Sequence, residues 1–317
     1  MTSWPWMKGV DVAIADPPIS PVDKYDKRLS VKELITEHRT KIDEIRSILQ
    51  SDNKDLYNPT KHDDLWILRF VLSHHNKKGI KKASKACQTT LEFRNKYSWV
   101  DETDIRFAPP GKSVKSTQQF YQYYEKNAIQ HVSPDPKRGV QVFALLTGLN
   151  MNALVKNIDE SEWLARWTYI TEYSHQWLDY VTRTTGLLTK QIRIIDLKGI
   201  RTSDISMEAN KRDGKAMSVM EDCYPQLLQG IFVCNSPGWV QGTWRVCRPL
   251  MPKRVVQKLD FITPSTKMKE KQRLLEHISE EHLPEQYGGK NKNNNNATTT
   301  TTTKQEESTS EVVVTVG

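Results

Sequence analysis

Residues 191–199 read Gln-Ile-Arg-Ile-Ile-Asp-Leu-Lys-Gly, and this stretch decides the fold class. Its short run of β-branched residues predicts a buried strand that ends in a turn at Asp196. A second apolar run, residues 230–233, follows after a segment long enough for a crossover helix. Strand, helix and strand in this order predict parallel pairing, and therefore an α/β fold.

The residues before this strand extend the same pattern. Residues 140–146 form an apolar run with Val140, Val142, Ala144 and Leu146 on one face, which predicts another strand. Between the two strands, apolar residues recur at steps of three and four and predict a long helix. These residues are Trp163, Leu164, Trp167, Ile170, Trp177, Leu178 and Val181.

The first hundred residues predict helices only. An apolar stripe from Val31 to Leu49 indicates one long helix. Asp63 and Asp64 are typical of a helix start, and a further stripe runs from Ile80 to Arg94. We therefore divide the chain into a helical domain at 25–105 and an α/β domain at 106–290. Residues 1–24, rich in proline, and 291–317, an Asn/Thr repeat, are predicted to be flexible.

Composition limits the class of protein. The chain has 317 residues, of which 37% are hydrophobic and 26% are charged, as in a globular protein of about two domains. It has 46 basic and 38 acidic residues, and the difference of +8 favours an anionic partner such as a membrane surface or a nucleic acid. Charge alone does not choose between them.

Cysteine usage and hydropathy predict a cytoplasmic protein. The four cysteines contain no Cys-x-x-Cys pair, so we interpret them as reduced thiols rather than as a disulfide framework or zinc ribbon. The N-terminus has no continuous apolar run like that of a signal peptide. The longest charge-free stretch, residues 223–244, contains too many polar groups for a transmembrane helix.

No motif points to catalysis. Residues 111–113 read Gly-Lys-Ser, but Arg106 stands where a phosphate-binding loop needs glycine. Dinucleotide-binding, hydrolase-elbow and His-Glu-x-x-His motifs are absent, and the histidine spacings do not favour a metal site. We therefore expect no enzymatic activity, no metal and no cofactor.

A basic cluster offers two interpretations. It comprises Lys77, Lys78, Lys81, Lys82 and Lys85. Surface lysines are common, so the cluster fits a solvated helix face. It also fits a footprint on an anionic membrane, where each Lys or Arg near the surface adds about 1 kcal/mol.

Several short motifs occur together in order along the chain. Asp-Leu-Lys-Gly at 196–199 is followed by Tyr-Pro at 224–225, Ile-Phe-Val-Cys-Asn at 231–235 and Leu-Pro-Glu-Gln-Tyr-Gly-Gly at 283–289. Leu-Arg-Phe at 68–70 and Leu-Glu-Phe-Arg at 91–94 precede them. With these motifs, most of residues 30–289 resembles the CRAL-TRIO lipid-binding family, which includes the phosphatidylinositol/phosphatidylcholine transfer proteins.

The resemblance implies a helical N-terminal domain and a mostly parallel sheet flanked by helices, with a gated hydrophobic pocket for one lipid. The gate would correspond to residues 239–256, called the gate segment below. Within it, Trp239, Trp244, Leu250 and Val255 are expected to face lipid tails or the bilayer. The alternative is ordinary core packing.

The resemblance also implies which residues of this chain would contact the lipid head group. The positions that match the family's phosphatidylinositol site are His74 with His75, Gln226, Val255 and Lys258, of which Lys258 alone keeps the family residue. Those that match its phosphatidylcholine site are Tyr124, Phe143, Gln191 and Arg193, of which Tyr124 alone does.

Arg193 is unusual because it alternates with Ile192 and Ile194 in a strand predicted to be buried on both faces. A buried charge needs a partner. The partner is either a phosphate or carboxylate of the ligand or an internal carboxylate of the helical layer.

We therefore predict a monomeric cytoplasmic protein that binds one phospholipid or other hydrophobic molecule and transfers or presents it at membranes. A phosphoinositide-related phospholipid is one candidate ligand. The partners are the ligand and, transiently, an anionic membrane surface, with no nucleic acid. The alternative is a regulatory or adaptor module that tethers a signalling partner to a membrane without transport.

Overall fold

The computed structural model describes residues 28–74, 79–97, 100, 104–106, 130–135, 139–145, 151–262, 272–281 and 283–290. For residues 130–135 and 139–145 it describes the backbone. The terminal segments 1–24 and 291–317 and the Gly-Lys-Ser turn at 111–113 lie outside these ranges, so their predicted properties stay predictions.

Four helices open the described part of the chain: α1 (Val31–Glu37), α2 (Arg39–Asp52), α3 (Asp64–Ser73) and α4 (Gly79–Lys96). Their apolar stripes meet in one buried cluster, which includes Ile42, Ile45, Leu68 and Cys87. The cluster forms because each helix is apolar on one side only and must bury that side against a neighbour. The predicted helical start of the chain is confirmed.

The helix boundaries follow local capping chemistry. The predicted start signal before α3 is confirmed, because the Asp63 carboxylate accepts a hydrogen bond of 3.0 Å from the Trp66 amide. The prediction of one helix from Val31 to Leu49 was wrong, because the chain leaves helical geometry at His38, between α1 and α2. One residue outside helical geometry hardly changes the spacing of apolar positions, so periodicity did not reveal the break.

A five-stranded sheet with helices forms the rest of the described chain. Its elements are β1 (Gln130–Asp135), β2 (Gly139–Leu145), α5 (Met151–Asn157), α6 (Glu160–Thr185), β3 (Gln191–Asp196), α7 (Met207–Cys223), β4 (Leu228–Cys234), α8 (Val240–Cys247), α9 (Lys253–Gln257) and β5 (Leu259–Phe261). The strands lie in the order β1-β2-β3-β4-β5. β1 pairs antiparallel with β2, and the other neighbours pair parallel. The predicted parallel pair β3–β4, joined by the crossover helix α7, is confirmed.

The two faces of the sheet bury different partners. Ile192 and Ile194 pack with residues near the C-terminal end of the described chain, such as Leu274 and Ile278. Arg193 and Ile195 turn to the opposite face because side chains alternate along a strand. Both faces of β3 are therefore covered, as predicted for a strand in a parallel sheet.

Asp196 connects three segments where β3 ends. Its carboxylate accepts hydrogen bonds from Asn235 Nδ2 at 2.9 Å and from the Tyr287 hydroxyl at 2.8 Å. It also accepts one from the Lys198 amide at 2.8 Å. Asn235 follows β4, and Tyr287 belongs to the C-terminal segment, so one carboxylate ties two strand ends to that segment.

Ion pairs attach the N-terminal helices to α6. The guanidinium of Arg94 in α4 donates two hydrogen bonds to the Glu172 carboxylate in α6, at 3.1 and 3.3 Å, and both side chains are buried. Nearer the end of α6, Arg183 bonds Asp63 at 2.6 Å. These pairs fix the long helix against the helical cluster.

His175, on α6 near these pairs, predicts a pH-dependent stability. Burial lowers its pKa to about 4, and the nearby cations Arg69 and Arg94 act in the same direction, against the anions Glu172 and Asp179. Folding therefore favours the neutral ring, whereas the unfolded chain takes up a proton below about pH 6.5. The stabilising contribution is complete above that pH and declines as the pH falls toward 4.

The test compares the parent protein with His175→Gln by urea unfolding at pH 7.5 and 4.5. The parent should lose about 2 kcal/mol more of its free energy of unfolding than the variant between these pH values. The carboxylates titrate in both proteins, so the difference isolates the histidine. An equal loss in both would contradict the assignment.

Gly214 in α7 predicts a sharp steric limit. A Cβ atom there would overlap the carbonyl oxygen of Leu250, in the 3₁₀ helix Arg248–Leu250 of the gate segment. Gly214→Ala should therefore destabilise the fold by about 1 to 3 kcal/mol.

Gly242 in α8 is the matched control, because a Cβ built there has no atom within 4 Å. Gly242→Ala should stabilise by about 0.5 to 1 kcal/mol, because it lowers the entropy of the unfolded chain. Thermal melts measure both, and the same sign for the two variants would contradict the prediction.

Candidate functional site: a cavity between sheet and gate segment

A cavity of about 290 Å³ lies between the sheet, α6, α7 and the gate segment. Ile195 and Val233 line it from the sheet, Ile170 from α6 and Met217 from α7. Val240 and Trp244 of α8 line it from the gate segment. Apolar side chains thus enclose most of the cavity, and an apolar ligand would gain free energy by leaving water for it.

Polar side chains cluster on the α6–α7 side of the cavity. The Asp213 carboxylate accepts hydrogen bonds from the indole N–H groups of Trp163 at 2.9 Å and Trp167 at 2.8 Å. Burial raises the pKa of Asp213, although the indoles and the cations Arg166 and Arg193 oppose the shift. Two tryptophans of α6 thus bind this carboxylate, and the positive charges of Arg166 and Arg193 favour its ionised form.

Arg193 lies at the centre of β3 and lines the same cavity. Its guanidinium carbon lies 5.3 Å from the ring centroid of Trp167, which is cation–π distance. Its buried Nε has no hydrogen-bond partner among the described residues. Burial lowers the pKa of Arg193 to about 10, and Arg166 acts in the same direction. Arg193 therefore stays protonated at neutral pH.

The four predicted gate residues lie in different surroundings. Trp244 lines the cavity, and its ring contacts Phe261 with centroids 5.6 Å apart. Trp239 is half-buried against the apolar cluster on this side of the sheet, to which the buried Val255 belongs. Leu250 packs against α7 at Gly214. The structure therefore places Trp244 on the cavity and the other three beside it.

Among the predicted head-group residues whose side chains the structure describes, Arg193 lines the cavity and the others do not. Gln191 is buried and donates to the Ser174 hydroxyl at 3.3 Å, and Gln226 donates to Ser73 at 3.2 Å. Lys258 pairs with Glu221 at 3.5 Å, and Nδ1 of His74 lies 3.0 Å from the Phe70 carbonyl oxygen. Tyr124, His75 and the side chain of Phe143 lie outside what the structure describes.

The basic cluster lies partly in the described chain. Lys81, Lys82 and Lys85 are exposed on α4, whereas Lys77 and Lys78 lie outside the described residues. Burial lowers the pKa of His74, and two cations act in the same direction. These cations are Arg254, in α9 of the gate segment, and Lys82, in α4. The lysine cluster and the gate segment therefore approach each other at His74.

Sequence reasoning missed Asp213 and the function of the two indoles beside it. The apolar stripe on α6 included Trp163 and Trp167, but as core residues. Asp213 stands in a polar stretch of α7, Lys-Arg-Asp-Gly, where an aspartate is typical of a solvated surface. The spacing of four between the tryptophans is the one local signal that both rings face the same neighbour.

Two further observations concern membrane spans and metal sites in the described residues. No helix in the described ranges is long and apolar enough to cross a membrane. Across those ranges, too, no group of three or more His, Cys, Asp or Glu side chains is placed to hold a metal ion.

Together, the sheet, the flanking helices and the cavity between them define an α/β protein with a largely apolar pocket. Comparison with known proteins assigns the family. Residues 137–289 match the CRAL/TRIO domain family. Residues 137–289 therefore form a CRAL/TRIO domain, and the resemblance to the CRAL-TRIO family read from the motifs is confirmed.

Curated relatives agree with this assignment. Over 254 residues the chain is 25% identical to a CRAL-TRIO domain-containing protein of Saccharomyces cerevisiae, covering 78% of this chain and 76% of that protein. It is 24% identical to the SEC14 cytosolic factor of Candida glabrata over 240 residues, covering 73% and 72%. Patellin-5 of Arabidopsis thaliana is 36% identical over 75 residues, 24% of this chain and 11% of Patellin-5. A solved structure titled "Crystal structure of Sfh5" has 11% identity and a TM-score of 0.48, covering 75% of this chain and 82% of that one.

Proposed function

We propose that the protein binds one hydrophobic ligand of the lipid class in the cavity and carries it to, or presents it at, an anionic membrane surface. The observation that carries the proposal is the apolar cavity between the sheet and the gate segment of a CRAL/TRIO domain. The chain acts by binding, and the proposal includes no covalent step. It works as a monomer in the cytoplasm and contacts the membrane peripherally.

The energetics require a closed apolar site. Two acyl chains contain roughly 30 methylene groups at about 0.8 kcal/mol each, so exposing them to water costs over roughly 20 kcal/mol. Passage between a membrane and the cavity therefore needs a wall that opens at the membrane. The gate segment supplies it, because Val240 and Trp244 of α8 form part of the cavity wall, and Gly238, just before α8, has no atom within 4 Å of the position of a Cβ.

The outer surface of the gate segment suits a membrane interface. Val246 is 60% exposed on α8, which is a large exposure for an apolar side chain. The exposed cations Arg245, Arg248 and Lys253 surround it in sequence. An apolar residue among cations is typical of segments that lie in the interface of anionic bilayers.

A phosphoinositide-related ligand has weaker support. Lys258 alone keeps the family residue among the matched phosphatidylinositol positions, and its ammonium group pairs with Glu221. Gln226 and His74 bond to α3, and Val255 belongs to the apolar cluster. We therefore assign the ligand by class and leave the head group to direct identification.

The deciding experiment has two steps. Native mass spectrometry of the purified protein identifies the molecule it carries, and a labelled form of that molecule is then followed between donor and acceptor vesicles. Exchange supports transfer. Tight binding without exchange would favour the adaptor alternative. A cavity that takes up no hydrophobic molecule would contradict the proposal.

The gate can be tested with a pair of charge substitutions on α8. Trp244→Glu places a charge at the cavity wall and should reduce ligand loading by at least tenfold with a smaller effect on stability. Gln241→Glu places the same charge at an exposed polar position of α8 and should leave loading unchanged. Mass spectrometry measures loading, and thermal melts measure stability. If Trp244→Glu melts early while the remaining folded protein loads normally, Trp244 is a core residue.

The membrane footprint can be tested by charge reversal on α4. Lys81→Glu with Lys82→Glu should weaken sedimentation with anionic vesicles at low salt by about tenfold or more, because each lysine near the surface contributes about 1 kcal/mol. Lys32→Glu with Lys41→Glu makes the same change of net charge on exposed positions of α1 and α2 and should have a smaller effect. Equal effects of both pairs would show that net charge, and not this cluster, controls binding.

A further inference from the structure

The cavity contains one charged side chain without a protein partner in the described structure. Four charged residues line it: Arg166, Arg193, Asp204 and Asp213. Asp204 pairs with Arg201 at 3.0 Å, Asp213 accepts from two indoles, and Arg166 has interactions of its own. Arg193 forms no hydrogen bond or ion pair with any described residue, and its guanidinium carbon lies 5.3 Å from the ring centroid of Trp167.

Two indole N–H groups, and not Arg193, donate hydrogen bonds to the Asp213 carboxylate. Trp167 stacks its ring on the Arg193 guanidinium and donates its N–H to Asp213. Trp163 donates to the same carboxylate oxygen. Asp213 is therefore anchored toward α6, while the terminal N–H groups of the Arg193 guanidinium have no hydrogen-bond acceptor among the described residues. Arg166 lines the same cavity and adds positive charge near Arg193.

A buried guanidinium with unmade hydrogen bonds costs free energy, and an anion that enters the cavity would remove that cost. The guanidinium fork matches the oxygens of a carboxylate or a phosphate. The cavity has a volume of about 290 Å³, near the lower end of the range of about 300 to 1,000 Å³ that is typical of ligand pockets. This volume favours a ligand with one hydrocarbon chain over a ligand with two.

We propose that Arg193, stacked on Trp167, binds the anionic head of a single-chain amphiphile whose tail fills the apolar part of the cavity. This inference rests on the proposed function, because it names the ligand class of the same site. The head group is a carboxylate or a phosphate monoester, and it lies inside the cavity against the sheet. The six apolar residues named for the cavity above surround the tail.

The experiment measures the affinities of four probes for the parent protein and for Arg193→Met by competition with a fluorescent fatty acid. The probes are palmitate, palmitoyl lysophosphatidate, the neutral palmityl alcohol and a two-chain phosphatidylcholine. For Arg193→Met, affinity for the two anionic probes should fall about ten- to a hundredfold, because a hydrogen bond to a charged group is lost. Palmityl alcohol should bind both proteins equally. Acetate and inorganic phosphate should not compete, since they have no tail.

Arg212→Met is the matched control. Arg212 also stacks on a tryptophan of α6, with its guanidinium carbon 5.6 Å from the Trp163 ring, and it does not line the cavity. This variant should keep the parent's preference for anionic probes. The melting temperature of Arg193→Met should be unchanged or higher, because replacing an unpaired buried charge by an apolar chain of similar length strands no partner.

Each failure has a separate meaning. If palmitate and palmityl alcohol bind the parent equally and Arg193→Met changes neither, the anion subsite is wrong and the proposed function stands. If no probe binds the parent, the proposed function fails as well. Competition by acetate or phosphate as strong as by palmitate would overturn the amphiphile class. Tighter binding of the two-chain lipid than of either single-chain anion would overturn the single-chain assignment.

Discussion

The bidentate ion pair between Arg94 and Glu172 is the interaction on which the placement of the cavity depends. Both side chains are buried, so each charge relies on the other, and removing one partner from such a pair costs about 3 to 5 kcal/mol. The pair fixes the register of α6 against α4. Five and nine residues before Glu172, α6 supplies Trp167 and Trp163 to the cavity. The position of these indoles thus depends on a contact on the far side of the helix.

The sequence predicted the elements whose patterns are long or chemically marked. β3 and β4 were predictable because continuous β-branched runs suit a strand covered on both faces, and α6 because its stripe persists over several turns. β1 contains Pro134 and β5 has three residues, so neither has a strand signal strong enough to detect. Of the candidate site, Arg193 stood out because a charge in an apolar strand breaks its pattern. Asp213 did not, because its partners come from another helix.

The motifs that identified the family stabilise the architecture. Asp196, Asn235 and Tyr287 come from three separate motifs, and the structure joins them in one hydrogen-bonded junction at the ends of β3 and β4. A buried carboxylate with three donors is costly to disturb, since losing a donor leaves an unsatisfied charge. This explains how the family motifs are present while the matched head-group positions carry other residues. The junction constrains the fold, and the cavity wall is free to carry a different ligand chemistry.

The same cavity wall links ligand binding to stability. A ligand that binds the folded chain and not the unfolded chain stabilises it in proportion to the logarithm of its concentration over its dissociation constant. Under the proposed function this linkage has two sources, because the ligand covers the apolar lining of the cavity and gives hydrogen-bond acceptors to the Arg193 guanidinium. Trp167 is part of both, since its ring faces the Arg193 guanidinium in the cavity wall and its N–H donates to the Asp213 carboxylate. A ligand that fills the apolar space without binding Arg193 gains only the first contribution to stability. A ligand that binds Arg193 without filling the apolar space gains only the second. We therefore expect the proposed site to favour molecules that carry both an anionic group and a hydrocarbon chain.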